Sequence, residues 1–183
     1  MLVASVTLSE VRLTLEVSVE LVNQVGEAGF DVRDYLAASG FSRAANASQA
    51  SVGRVSQRIS GLAPLFRDLP DLDEPVAAAR VNEELTELPI SPSIVDHDGV
   101  GPHIHWTPAT TTFDDQVITD ILMALAQEIC DNGTIRFGIC SAADCDRLFY
   151  DGTRNRSKRF CSDPRCASRT HTADHRARRR AES

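Results

Sequence analysis

The sequence predicts an α-rich body with one β-hairpin, followed by a small module in which a second hairpin leads into a basic helix. Three observations carry this expectation. Apolar residues recur at helical spacing through the middle of the chain, two short cysteine pairs lie near its end, and charge divides between the two regions. A chain of 183 residues can bury one sizeable core and still carry an appended module.

The N-terminal stretch supports two readings. Val11, Leu13, Leu15, Val17, Val19 and Leu21 alternate with polar residues, which is the period of a strand, yet LEVSVELVNQVG also suits a helix ending at Gly26. Beyond Gly40, Val52, Val55, Ile59 and Leu62 stand at helical spacing, and Pro64 is expected to kink or end their helix. The segment DEPVAAARVNEELTEL opens on acids with Pro75 in its first turn, so a helix is expected as far as Leu88. In SPSIVDHDGVGPHIHWTP two short apolar runs flank an Asp-Gly turn, a hairpin signal. Thr112 and Asp115 then open a helix whose stripe is Val117, Ile121, Leu125 and Ile129 and whose end is Gly133. Composition changes near residue 134, which divides the chain into 1–133 and 134–183.

Charge changes at the same place. Residues 1–133 carry seven arginines against twenty acids, whereas residues 134–183 carry eleven arginines and Lys158 against six acids. A basic tail on an acidic body points to a polyanionic partner, the alternative being a tail that only solvates the protein or binds its own body. The N-terminus lacks the basic start and unbroken apolar stretch of a signal peptide. The most apolar helix pattern, VITDILMALAQEIC, is interrupted by Asp120, Gln127 and Glu128, short of the roughly 18 apolar residues of a membrane span. A cytoplasmic protein with no membrane partner is therefore expected, and there paired cysteines read as metal ligands rather than disulfides.

Cys140 and Cys145 are separated by four residues, as are Cys161 and Cys166, with fifteen residues between the pairs. Four thiolates at about 2.3 Å satisfy a structural zinc ion, provided a hairpin brings the pairs together. RLFY and KRFC are β-prone and flank a turn at Asp151 and Gly152, so they are expected to form it. A region of about fifty residues builds little core of its own, and a metal staple compensates for that. The spacing matches no iron–sulfur pattern. Cys130 reads as a small buried hydrophobe, which leaves one zinc per chain.

The segment CSAADCDRLFYDGTRNRSKRFCSDPRCASRTHTADHRARRR resembles the CGNR zinc finger. It carries the first cysteine pair, then F-x-D-x-x-R-N-x-x-x-R, an aromatic-Cys-Ser, the second pair and a closing HRARRR. More loosely, VNEEL, the GPHIHW hairpin and the helix after it are similar to the ABATE domain that precedes this finger in bacterial proteins. The resemblance implies a mainly α N-terminal domain with a small β-hairpin, a C-terminal zinc finger in which a β-hairpin is followed by a basic helix, and a role in regulating transcription. The signature Cys-Gly-Asn-Arg reads Cys166-Ala167-Ser168-Arg169 here. Alanine fits a positive φ poorly, and serine replaces only some hydrogen bonds of an asparagine.

Zinc at Cys161 and Cys166 would fix the start of a helix on which Arg169, His175, Arg176, Arg179 and Arg180 share one broad face. Arg154, Asn155, Arg156, Lys158 and Arg159 occupy the adjacent loop. Arginine forks pair with phosphates and with guanine edges, so DNA is the expected partner, RNA the second choice, and a protein-interaction module a further alternative. Phe149, Tyr150 and Phe160 are expected to form the finger's own small core.

His103 and His105 would share one strand face, with Ile104 and Trp106 on the other and Trp106 packed inward. With His97 across the turn they could wall a pocket for a small-molecule effector or ligate a catalytic metal. Catalytic zinc wants three ligands and a positioned acid or base, and no HExxH, nucleophile elbow or phosphate loop accompanies them. A pocket wall is therefore favoured, a metal-dependent enzyme is the minority reading, and no enzymatic activity is expected. The body is expected to sense a small ligand or to mediate self-association as a homodimer.

Overall fold

The computed structural model describes residues 4–41, 43–96 and 101–181. Its first element, helix α1 (Ala4–Gln24), decides the ambiguous stretch in favour of the helix. Leu15, Val17, Val19, Leu21 and Val22 are all buried because α1 meets other elements on several sides. Burial around so much of the helix blurs its period. A strand would have placed Leu13 beside Leu15, yet Leu13 is 51% exposed.

Helix α2 (Val32–Ala38) is capped by Asp31, whose carboxylate accepts from the amide of Asp34. Helix α3 (Gln49–Asp68) begins at Ser48, whose hydroxyl accepts from the amide of Ser51, and it buries Val52, Val55, Ile59, Leu62, Leu65 and Phe66. Pro64 does not end it. The proline lies on the exposed side, as does Ser60, whose carbonyl loses its N–H partner, and the helix continues past it. Helix α4 (Glu74–Thr86) starts at Asp73, with Pro75 in its first turn, and stops two residues short of Leu88.

Helix α5 (Phe113–Asn132) is the centre of the molecule, packed by α1, α3 and α4. Thr112 caps it by accepting from the amide of Asp115, and Gly133, at φ +66, ends it. Arg54 of α3 pairs with Asp114 at 2.9 Å, and Arg58 reaches Asp115. Among the described residues no helix is long and apolar enough to cross a membrane.

Strands β1 (Ser93–Val95) and β2 (His103–His105) pair antiparallel, with Ile94 opposite Ile104. His97 and the expected Asp98-Gly99 turn lie outside the described residues. The side expected to face inward does not: Ile94 is 79% and Ile104 49% exposed, and Trp106 is only half-buried and stands apart from the core.

Strand β3 (Phe137–Ile139) pairs antiparallel with β4 (Leu148–Tyr150), in the register Phe137 to Tyr150 and Ile139 to Leu148. This corrects the expected partnership of RLFY with KRFC. The KRFC segment is irregular, because the chain after β4 is turned by the carboxylate of Asp151 instead of by a strand ladder. Phe137, Leu148 and Tyr150 belong to the same core as the helices, with the Phe137 ring edge-on to Phe66 at 6.4 Å between centroids. The last element is helix α6 (Pro164–Ala181).

Candidate metal centre and basic surface

The β3–β4 hairpin is clasped to α1 by a single side chain. Asn23 Nδ2 donates to the Leu148 carbonyl at 2.8 Å, and its Oδ1 accepts from the Leu148 amide at 3.0 Å. On the far side Tyr150 donates its hydroxyl to Glu128 of α5 at 2.9 Å, and Arg136 stands 3.4 Å from the same carboxylate. Gly138 leaves room for the Phe149 ring, since a Cβ there would come within 2.6 Å of it. Neither Phe149 nor Tyr150 is available to stack on bases; both are buried.

The connection between β3 and β4 carries the first cysteine pair. The Cys140 amide donates to the Arg147 carbonyl and the Cys145 amide to the Ala142 carbonyl, so residues 140–145 fold into a tight knuckle. The Ser141 amide bonds the Arg159 carbonyl at 2.8 Å, which draws the second pair in beside the first. Cys161 lies in the loop before α6 and Cys166 in its first turn, where the Asp163 carboxylate accepts from the Arg165 amide.

All four sulfurs lie within 4.8 Å of one another. Cys145 Sγ is 3.8 Å from Cys161 Sγ, which is 3.7 Å from Cys166 Sγ. Four thiolates about 2.3 Å from one ion stand about 3.8 Å apart, so these separations fit a tetrahedral zinc site. They are far beyond the about 2.05 Å of a disulfide. The donor set fits as well. Burial opposes ionisation of Cys140, but the amides of Ala142 and Cys161 and the neighbouring thiols hold its thiol below the ordinary range. Burial pushes the Cys161 thiol up to about 12. Several thiolates together need a cation among them, and a divalent ion supplies it. Bound there, zinc would be structural, tying the knuckle to the start of α6. Cys130 is not part of the cluster, and it is exposed on α5 rather than buried as expected.

The replaced signature residues sit easily. Ala167 is helical, and among the described residues the positive φ outside glycine is at Arg156, so no glycine is needed at 167. Ser168 donates its hydroxyl to the Arg165 carbonyl at 3.2 Å.

The loop after β4 is organised by Asp151, which is buried. One carboxylate oxygen accepts from the amide and hydroxyl of Thr153, the other from the Lys158 amide at 2.7 Å. Although burial works against ionisation, these bonds hold the Asp151 carboxyl below its usual range. Arg154, Asn155 and Arg156 stand exposed at the loop's tip, with Arg156 at φ +49. Lys158 turns inward, donating to the Tyr150 carbonyl at 3.1 Å, and Arg159 lies over the Phe160 ring. Arg169 donates towards Cys166 Sγ at 3.6 Å and pairs with Asp144 at 3.1 Å, buttressing the cysteine cluster. His175, Arg176, Arg179 and Arg180 are exposed on the last turns of α6.

His103 and His105 share one face of β2, as the strand period requires, with their Nε2 atoms 3.2 Å apart. A cleft of about 450 Å³ lies elsewhere, between α1, α2 and β4, walled by Glu16, Glu20, Tyr35, Phe149 and Lys158. Sequence reasoning missed this cleft, the Asn23 clasp and the Asp144–Arg169 pair. Each joins residues far apart in the chain, and no local pattern announces them.

Residues 136–179 match the CGNR zinc finger family. The matched segment contains all four clustered cysteines, the Asp151 loop and most of α6. No curated protein is significantly similar to the chain.

Proposed function

We propose that the protein is a cytoplasmic, non-enzymatic regulator of transcription whose zinc finger binds duplex DNA. One contrast carries the reading. In the body, Arg54, Arg58 and Arg80 pair with acids, and Arg33 and Arg43 donate to glutamine side chains. In the finger, Arg154, Arg156, Arg176 and Arg180 are exposed and their side chains make no hydrogen bond or ion pair among the described residues. Arginines held on an ordered scaffold and left without internal acids suit the phosphates of a polyanion. The Asp151 loop and α6 meet at the cysteine cluster, so zinc would hold both in one surface.

The body, on this reading an ABATE-like domain, senses a small ligand or mediates self-association. The cleft beside α1 supports the sensing role, since Glu16 and Glu20 of the body and Lys158 and Ser162 of the finger wall it together. A ligand there would touch both parts.

The test is selection from random pools of duplex DNA and of RNA by zinc-loaded protein and by a variant with Arg154, Arg156, Arg176 and Arg180 changed to Gln. Enrichment of DNA sites by the wild type alone is expected. Enrichment from the RNA pool only would transfer the reading to RNA, and no enrichment, or enrichment that survives in the variant, would defeat it.

A further inference from the structure

We propose that His103 and His105 hold a second metal ion, a divalent first-row transition metal, at a site separate from the cysteine cluster. The site does not depend on the nucleic-acid reading. The strand puts both imidazoles on one half-buried face of the β1–β2 hairpin, and the register with Ser93 and Val95 fixes their positions. The two Nε2 atoms are 3.2 Å apart. Two imidazole nitrogens bound at about 2.0–2.1 Å to one tetrahedral ion stand about 3.3–3.4 Å apart, so the pair is already at chelating distance.

The tautomer of His103 also suits a ligand. Its Nδ1 is 2.8 Å from the Gly101 carbonyl oxygen, which can only accept, so Nδ1 carries the hydrogen and Nε2 presents a lone pair. A backbone carbonyl on the far ring nitrogen is the usual outer contact of a metal-bound histidine. Gly101 adopts φ +84, a conformation open to glycine. Without an ion, His105 Nε2–H donates to His103 Nε2. An ion takes the place of that hydrogen, and the displaced proton passes to the other ring nitrogen of His105 or to water. Two nitrogen donors favour nickel, copper, zinc or cobalt over magnesium or calcium. Among the described residues no further His, Cys, Asp or Glu joins the pair, so the ion is more open than one enclosed by four thiolates.

The experiment is a calorimetric titration of the zinc-loaded protein with Ni²⁺. One further equivalent is expected, with a Kd of about 10 µM or tighter, and Cu²⁺ should bind more tightly than Ni²⁺. His103→Asn and His105→Asn should each remove that equivalent while the finger keeps its one zinc. His171 and His175, one turn apart on α6, are the competing pair, and changing both to Asn should leave the equivalent in place. In the wild type, substoichiometric Ni²⁺ should broaden the ring signals of His103 and His105 before any others, a readout that needs no variant to fold. No further equivalent, an equivalent that survives in both hairpin variants, or first broadening at His171 and His175 would each overturn the proposal.

Discussion

Asn23→Ala tests how the finger hairpin is held to the helical body. Asn23 is 8% exposed, and its amide satisfies both the N–H and the C=O of Leu148, a residue with no exposed surface. Alanine removes both partners at once. A buried polar group left without a partner costs about 1–3 kcal/mol, so two of them predict a loss of roughly 2–6 kcal/mol. The upper part of that range is expected, since the Leu148 side chain is packed in the core and admits water only by opening it. For a chain of this size each kcal/mol moves the melting temperature by about 2–4 °C, which puts the shift near 10 °C. Urea denaturation of the zinc-loaded variant reads the loss directly, and the finger should keep its one zinc because the cysteines are untouched. A loss under about 1 kcal/mol would show that the hairpin does not depend on this clasp.

Three further perturbations separate the parts of the molecule. Cys161→Ser should abolish zinc retention and melt the finger, since binding and folding are coupled in such modules, whereas Cys130→Ser should leave the zinc content measured by mass spectrometry unchanged. Burial raises the Asp120 carboxyl to about 7 from an ordinary value of 3.8. The folded state therefore keeps a proton that the unfolded chain gives up, so stability falls as pH rises from about 4 to about 7 and then levels off. Asp120→Asn should flatten that dependence and stabilise the protein at pH 8 by up to about 4 kcal/mol, and equal urea midpoints for variant and wild type at pH 8 would refute the assignment. Asp151→Ala should lower nucleic-acid affinity about tenfold at unchanged zinc content by releasing the loop that carries Arg154 and Arg156, and an unchanged affinity would deny it that positioning role.

Helix α5 was legible although it packs against α1, α3 and α4. Val117, Ile121, Leu125 and Ile129 form the stripe read from their spacing, and Thr112 and Gly133 bound it through capping chemistry that acts over a few residues. Helix α1 was not legible because its buried Leu15, Val17, Val19 and Leu21 fall on alternate positions, the period of a strand, although Arg12, Leu13 and Glu16 lie exposed on its outer side. The four cysteines were readable because metal chemistry requires those atoms at those spacings whatever the fold. Their hairpin was misread for the opposite reason. RLFY has strand character, but its partner was chosen by packing, the Phe137 ring meeting Phe66 and Tyr150, and by the Asp151 carboxylate that turns the chain away from KRFC. Of the two outcomes expected at Pro64, an ended helix is excluded, since the proline and Ser60 both lie on the exposed side and the helix runs on to Asp68.

The salt dependence of duplex DNA binding tests most directly whether zinc and the Asp151 loop assemble a phosphate-binding surface. Each neutralised phosphate contributes about 0.9 to the slope of log affinity against log salt. If Arg154, Arg156, Arg176 and Arg180 each engage one, the slope should be about −4 or steeper, and changing all four to Gln should flatten it by nearly that amount while zinc stays bound. A slope near zero, or one that the fourfold variant leaves intact, would contradict the nucleic-acid reading.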